Sequence, residues 1–171
     1  MDHLAFGVYG ILIEQNCLAV IKKNGGPYTN RYDLPGGSLA DGELLEACLY
    51  REFKEETGLM VEESRQLGTV NFLYPWTFQL TTMNNHICVF YEITRTQGKM
   101  ADIAQQFDGQ DSLGACFVSF DHLNEENASP LVLKAKEFHE EQVFKATSQR
   151  FSQWEVKRKP MFGATRVTKH E

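Results

Sequence analysis

Residues 37–59 read GSLADGELLEACLYREFKEETGL, and their spacing predicts a helix that ends in a cluster of carboxylates. A helix advances by roughly 100° per residue. On that wheel Leu45, Cys48 and Leu49 form an apolar face, and Glu52, Glu55 and Glu56 continue it within a sector about 120° wide. Ala47, Tyr50 and Lys54 lie on the far side. Like charges at i, i+3 and i+4 weaken a helix by a few tenths of a kcal/mol each. Carboxylates turned toward protein also lose solvation unless something pairs with them. Arg51 can neutralise one of the three. A hard divalent cation compensates more fully, because Mg²⁺ and Mn²⁺ favour carboxylate oxygen. The competing reading is a solvated acidic helix end.

The flanks favour the metal. Asp33-Leu34-Pro35-Gly36-Gly37 precedes the helix, and paired glycines let the backbone turn tightly beside a ligand. Asp41 is the expected N-cap, with Gly42 and Glu43 in the first turn. Gly58 is the expected left-handed stop. A Gly-Gly loop, a short helix and an acidic cluster thus form one unit.

This unit resembles the Nudix box, G-x5-E-x7-R-E-U-x-E-E-x-G-U, where U is a bulky aliphatic residue. Gly37, Glu43, Arg51, Glu52, Glu55, Glu56, Gly58 and Leu59 fill its fixed positions. Phe53 departs from it, standing where an aliphatic residue is usual. Tyr32 stands where many members carry Trp. The resemblance to the Nudix (MutT-like) hydrolase superfamily implies an α/β/α sandwich with a mixed sheet. It also implies a hydrolase of phosphorus-containing acid anhydrides that uses Mg²⁺ (or Mn²⁺). Carried onto this chain, the metal ligands are Glu52, Glu55 and Glu56, with a backbone carbonyl of Gly36 or Gly37. Arg51 orients the glutamates and Glu43 pairs with it. The general base is a box glutamate, Glu52 or Glu55, or an acid on a later loop. There Asp108 and Asp111 are preferred to Asp102.

Working outward, 171 residues suit one domain with a sizeable core. The expected division is a domain over 1–154 and a basic tail over 155–171. With 17 basic and 23 acidic residues the net charge is −6, which disfavours a nucleic-acid or anionic-membrane binder. Cys17, Cys48, Cys88 and Cys116 are widely spaced in apolar contexts and read as free thiols. No basic n-region opens the chain and no run reaches membrane-spanning length, so a cytoplasmic protein is expected.

Residues 4–13 and 17–23 read as strands around a Glu-Gln-Asn turn. Lys22, Lys23 and Arg31 flank the turn at Asn24-Gly25-Gly26-Pro27. They read either as phosphate contacts, with Arg31 the site candidate, or as exposed strand-end charges. Residues 61–67 are mixed and polar. From 70 to 80 the chain alternates, with Val70, Phe72, Tyr74, Trp76, Phe78 and Leu80 on one parity. This aromatic face is a core or homodimer surface, or Tyr74 and Trp76 stack on a nucleobase. Residues 86–94 and 115–120 read as strands, 97–111 as a loop, and 130–150 as a helix. The tail from Glu155 reads as a frayed end or a subunit contact.

The expected function is metal-dependent hydrolysis of the diphosphate linkage in a nucleoside diphosphate joined to another moiety. Two alternatives stay open: a nucleoside triphosphate pyrophosphohydrolase, and a non-catalytic module that senses a nucleotide.

Overall fold

A computed structural model describes residues 1–101 and 110–163. The chain forms β1 (Asp2–Glu14), β2 (Cys17–Lys23), β3 (Tyr32–Asp33), β4 (Gly36–Gly37), α1 (Leu45–Thr57), β5 (Met60–Phe78), β6 (Thr81–Gln97), β7 (Ser112–Ser119), α2 (Pro130–Glu141) and β8 (Gln149–Arg150). The strands run in the order β3-β2-β1-β6-β5-β8, with β4 beside β1 and β7 beside β2. The sheet is mixed: β1 and β6 are parallel, whereas β5 and β6 are antiparallel.

Alternation along β1 builds the sandwich. Val8 and Leu12 face α1, joining Cys48, Leu49 and Phe53 in one apolar cluster. Tyr9 and Ile11 face the other way, joining Leu131, Ala135 and Phe138 of α2. Period 2 in the strand puts successive side chains on opposite faces, so one strand serves both layers. β6 does the same, with Cys88 and Phe90 toward α2 and Val89, Tyr91 and Ile93 toward α1.

Three expectations are corrected, and residues 61–67, left without an assignment, gain one. Asp41 is not the N-cap of α1; Leu44 is, without a side-chain cap. Gly42 has φ 73°, outside the helical region, and Glu43 folds back to accept from the Ala40 amide at 2.8 Å. Residues 61–67 belong to β5, whose register shifts at several points against β6. Cross-strand pairs, Arg65 with Glu92 and Arg95 with Glu62 and Glu63, occupy its polar side chains. α2 stops at Glu141 because Gln142 adopts φ 57°. Phe144 then turns back onto Phe90, with ring centroids 5.2 Å apart. Finally, residues 155–163 lie on their own chain: the Arg31 guanidinium donates to the Glu155 carbonyl at 2.7 Å, and Met161 N–H to the Asn30 carbonyl at 2.9 Å. Gly58 ends α1 in the left-handed region at φ 78°, as its position implies.

Candidate active site

The apolar face of α1 pins the helix to the sheet, which leaves its carboxylates at the rim. Cys48, Leu49 and Phe53 are fully buried, and Glu56 follows them inward. Gly36 N–H donates to Glu56 Oε2 at 2.9 Å, joining helix to loop. Gly36 is needed where it stands, and Gly37 lies close under Glu52. Gly36 has φ 153°, and a Cβ there would meet Tyr9 Cα at 2.7 Å. A Cβ on Gly37 would meet the Glu52 carboxyl carbon at 2.6 Å.

Arg51 ties the acidic residues together. Its Nε and Nη2 donate to Glu43 at 2.8 and 2.9 Å. Its Nη1 donates to Glu52 at 2.7 Å and to Glu55 at 3.4 Å. The bonds from Arg51 hold the Glu43 carboxyl down to about 2, and those to Glu43 raise the guanidinium in turn. Burial pushes Glu52 up against the pull of Arg51, and pushes Glu56 well up against the pull of Lys23.

These groups line a cavity of about 360 Å³, with Glu52, Glu55 and Glu56 on one wall and Gly36 and Gly37 on another. Lys23, Tyr9, Gln110 and Asp111 close it. Lys23 Nζ meets Asp111 at 2.6 Å, and its side chain is only 16% exposed. Burial pulls its pKa down, but Asp33, Asp111 and Glu56 outweigh burial and raise it. Lys23 is therefore a cation of this cavity, not an exposed strand-end charge.

A second recess of about 140 Å³ shares Tyr9, Lys23 and Asp111 with the first. Parallel register sets its floor, since His3 pairs with Asn84 and Ala5 with His86 across β1 and β6. Trp76 and Tyr28 form its walls.

Not every expected residue reaches these cavities. Arg31 does not: its guanidinium stacks on Trp154 at 4.7 Å and lines a separate cavity with Glu126, Gln149 and Lys157. The segment after α2 captures it, an effect that local sequence does not reveal. Tyr74 is wholly buried behind the recess, 4.6 Å from the Trp154 ring, so its face is unavailable for stacking. Trp76 lines the recess and Asp111 lines both cavities. Asp102 and Asp108 lie outside the described residues. Tyr9, His3, Asn84 and His86 carried no motif; only the pairing of β1 with β6 unites them.

Among the described residues lining this cavity, the donor set suits a hard divalent cation: carboxylates beside a Gly-Gly backbone, and no thiolate or imidazole. Among the described residues, however, no three acidic, histidine or cysteine side chains converge as a ready-made metal group. Glu52 is turned to Arg51 and Glu56 to Gly36 N–H.

The family model described as the NUDIX domain matches residues 1–142. The ADP-ribose pyrophosphatase of Methanocaldococcus jannaschii is 39% identical over 66 residues, 39% of this chain and 39% of that protein. The NAD-capped RNA hydrolase NudC of Vibrio atlanticus is 42% identical over 55 residues, 32% of this chain and 19% of that protein. The chain thus matches well under half the length of either curated relative. Among solved structures, the MutT NUDIX hydrolase from Burkholderia pseudomallei superposes with a TM-score of 0.64 at 18% identity, covering 80% of this chain and 98% of that one. The NUDIX domain of Shewanella oneidensis NrtR, complexed with ADP ribose, gives 0.61 at 17% identity, covering 84% and 90%. These last two likenesses establish the fold. The family match takes in every residue lining the two cavities, and the chain belongs to the NUDIX domain family.

Proposed function

We propose that this chain hydrolyses the diphosphate linkage of a nucleoside diphosphate joined to another moiety, in a reaction dependent on Mg²⁺ or Mn²⁺. The observation that carries this reading is the pair of joined cavities. One is walled by three glutamates and a Gly-Gly loop, and the other by aromatic rings. The first matches a charged linkage and the second an uncharged ring. The likeness to an ADP-ribose pyrophosphatase makes ADP-ribose the first compound to test.

Glu52, Glu55 and Glu56, with the carbonyl of Gly36 or Gly37, would hold the metal. When bound, the metal neutralises phosphate charge and lowers the pKa of water. The chain's own residues do the rest. Lys23, which lines the same cavity, offers the linkage a second positive charge. Arg51, fixed by Glu43, holds Glu52 and Glu55 in place until they are needed. Trp76 gives the attached ring a surface to lie on. A water oxygen forms a new bond to phosphorus, and the bridging oxygen leaves with the electron pair. Glu52, Glu55 or Asp111 takes the proton from the water, with positioning supplying much of the acceleration. Four unpaired cysteines suit a reducing compartment, and we read that compartment as the cytoplasm.

The test is a panel of ADP-ribose, NADH, sugar nucleotides, dinucleoside polyphosphates and nucleoside triphosphates with Mg²⁺ or Mn²⁺, with products separated by chromatography. One diphosphate conjugate should dominate, EDTA should abolish its turnover, and Glu55→Gln should cut kcat roughly 100-fold or more. Release of pyrophosphate from triphosphates as the main activity would replace this substrate class with the pool-cleaning one.

A further inference from the structure

The cavity that holds Arg31 has a volume of about 570 Å³, within the roughly 300–1,000 Å³ typical of small-molecule sites. None of its lining residues lines either catalytic cavity. Half of its lining comes from residues 149–157, beyond the family match, which ends at residue 142.

Arg31 is the buried cation of this cavity, only 5% exposed. Its guanidinium carbon lies 4.7 Å from the centroid of the Trp154 ring. Nη1 donates to the Glu155 carbonyl at 2.7 Å. Among the described residues, Nε is the one buried side-chain nitrogen or oxygen with no hydrogen-bond partner. An unpaired buried donor costs about 1–3 kcal/mol, and more when charged. An acceptor oxygen delivered by a ligand recovers that cost. The edge concerned, Nε with Nη2, is the one that takes a carboxylate side-on. Arg51 presents the same edge to Glu43, at 2.8 and 2.9 Å.

The exposed rim has the opposite sign. Glu126 and Glu155 have side chains 75% and 71% exposed, and they share one cation, Lys157, whose Nζ lies 2.9 and 2.8 Å from them. Glu125 adds a third exposed carboxylate. Three carboxylates against one ammonium leave the rim acidic. Pro130 and Leu133 from the start of α2, and Phe151 after β8, add apolar wall. A simple anion would meet repulsion at this rim, and a simple cation would meet it at Arg31. The arrangement complements a ligand with a carboxylate at one end, an ammonium at the other and an apolar body.

We propose that this cavity is a second ligand site, for a small zwitterion with an apolar body, the chemistry of a free amino acid or short peptide. Arg31 takes the carboxylate and the glutamate rim takes the ammonium. The site is independent of the diphosphate reading, because it shares no lining residue with the catalytic cavities.

The test is isothermal titration calorimetry of the full-length protein in EDTA, with leucine and leucyl-leucine as probes. The tighter of the two gives the ligand length. It is then compared with its carboxamide, which lacks the carboxylate, and its N-acetyl form, which lacks the ammonium. The carboxamide should bind about ten-fold more weakly or worse, the worth of a charged hydrogen bond. The N-acetyl form should bind about three-fold more weakly, since the rim charges are exposed. Arg31→Gln, checked for folding by thermal melting, should bring the free acid and carboxamide within about two-fold of each other. Glu125→Lys, at an exposed position, should bring the free amine and N-acetyl forms level. No binding of either zwitterion at millimolar concentration overturns the proposal. So does equal binding of the zwitterion and either capped form, or a carboxylate preference that survives Arg31→Gln. If Arg31→Gln does not fold, Glu125→Lys decides: an unchanged preference for the free amine overturns the site.

Discussion

His86 is a buried imidazole whose two nitrogens are both occupied by tyrosine hydroxyls. Its neutrality in the fold has a cost that depends on pH. Burial lowers its pKa from 6.5 to about 3. In the window between those values the unfolded chain binds a proton that the folded chain refuses. Stability contributed by this group is therefore complete above pH 6.5 and is lost as pH falls toward 3, by about 1.4 kcal/mol per pH unit. Urea unfolding at pH 7 and pH 5 should show the wild type losing about 2 kcal/mol more than His86→Gln over that interval. Equal losses in the two proteins would mean that His86 is already protonated in the fold. Both of its ring nitrogens would then donate, to the Tyr28 and Tyr9 oxygens.

At the scale of elements, the helix was legible and its seat was not. Three signals identified α1: apolar period 3.6, glutamates continuing that stripe, and a glycine to stop it. Nothing local announced that Leu44 rather than Asp41 would precede its first turn, because Glu43 is drawn to Arg51, eight residues on. The β1–β6 pairing was hidden for the same reason: His3 and Asn84 meet only through parallel strands 81 residues apart in sequence. Phe53 marks another such long-range dependence. It is wholly buried, and a Cβ on Gly10 would lie 2.9 Å from its ring. Gly10 on β1 thus makes room for an aromatic residue where an aliphatic one is usual. Gly10→Ala should destabilise the protein by about 1–3 kcal/mol through overpacking. In a Phe53→Leu background the same change should cost at least about 0.5 kcal/mol less. A double-mutant cycle by denaturant unfolding reads this coupling. Strict additivity would show instead that Ile93, whose Cδ1 stands at 2.5 Å from the same Cβ, sets the limit.

At the scale of the whole molecule, the family match ends at residue 142 but the folded unit does not. The aromatic face of β5 looked like a core or dimer surface, and residues 143–163 settle part of that question by covering it from within the chain. β8 pairs in parallel with β5, and Phe151 N–H donates to the Leu73 carbonyl at 2.8 Å. Trp154 Nε1 donates to the Pro27 carbonyl at 2.9 Å, while its ring packs on Tyr74 and under Arg31. That ring therefore packs against both Tyr28, which lines the recess, and Tyr74 behind it. Trp154→Ala removes a large, partly buried aromatic ring and should cost about 3 kcal/mol. For a chain of this size that corresponds to a fall in Tm of roughly 6–12 °C. Ending the chain at residue 142 should cost more, since Phe144, Phe151 and Phe162 leave with Trp154. Calorimetry of full-length, Trp154→Ala and truncated proteins should rank them in that order. A truncated protein melting within about 2 °C of the full chain would show that the segment adds less than about 1 kcal/mol. The recess would then owe its shape to the sheet alone.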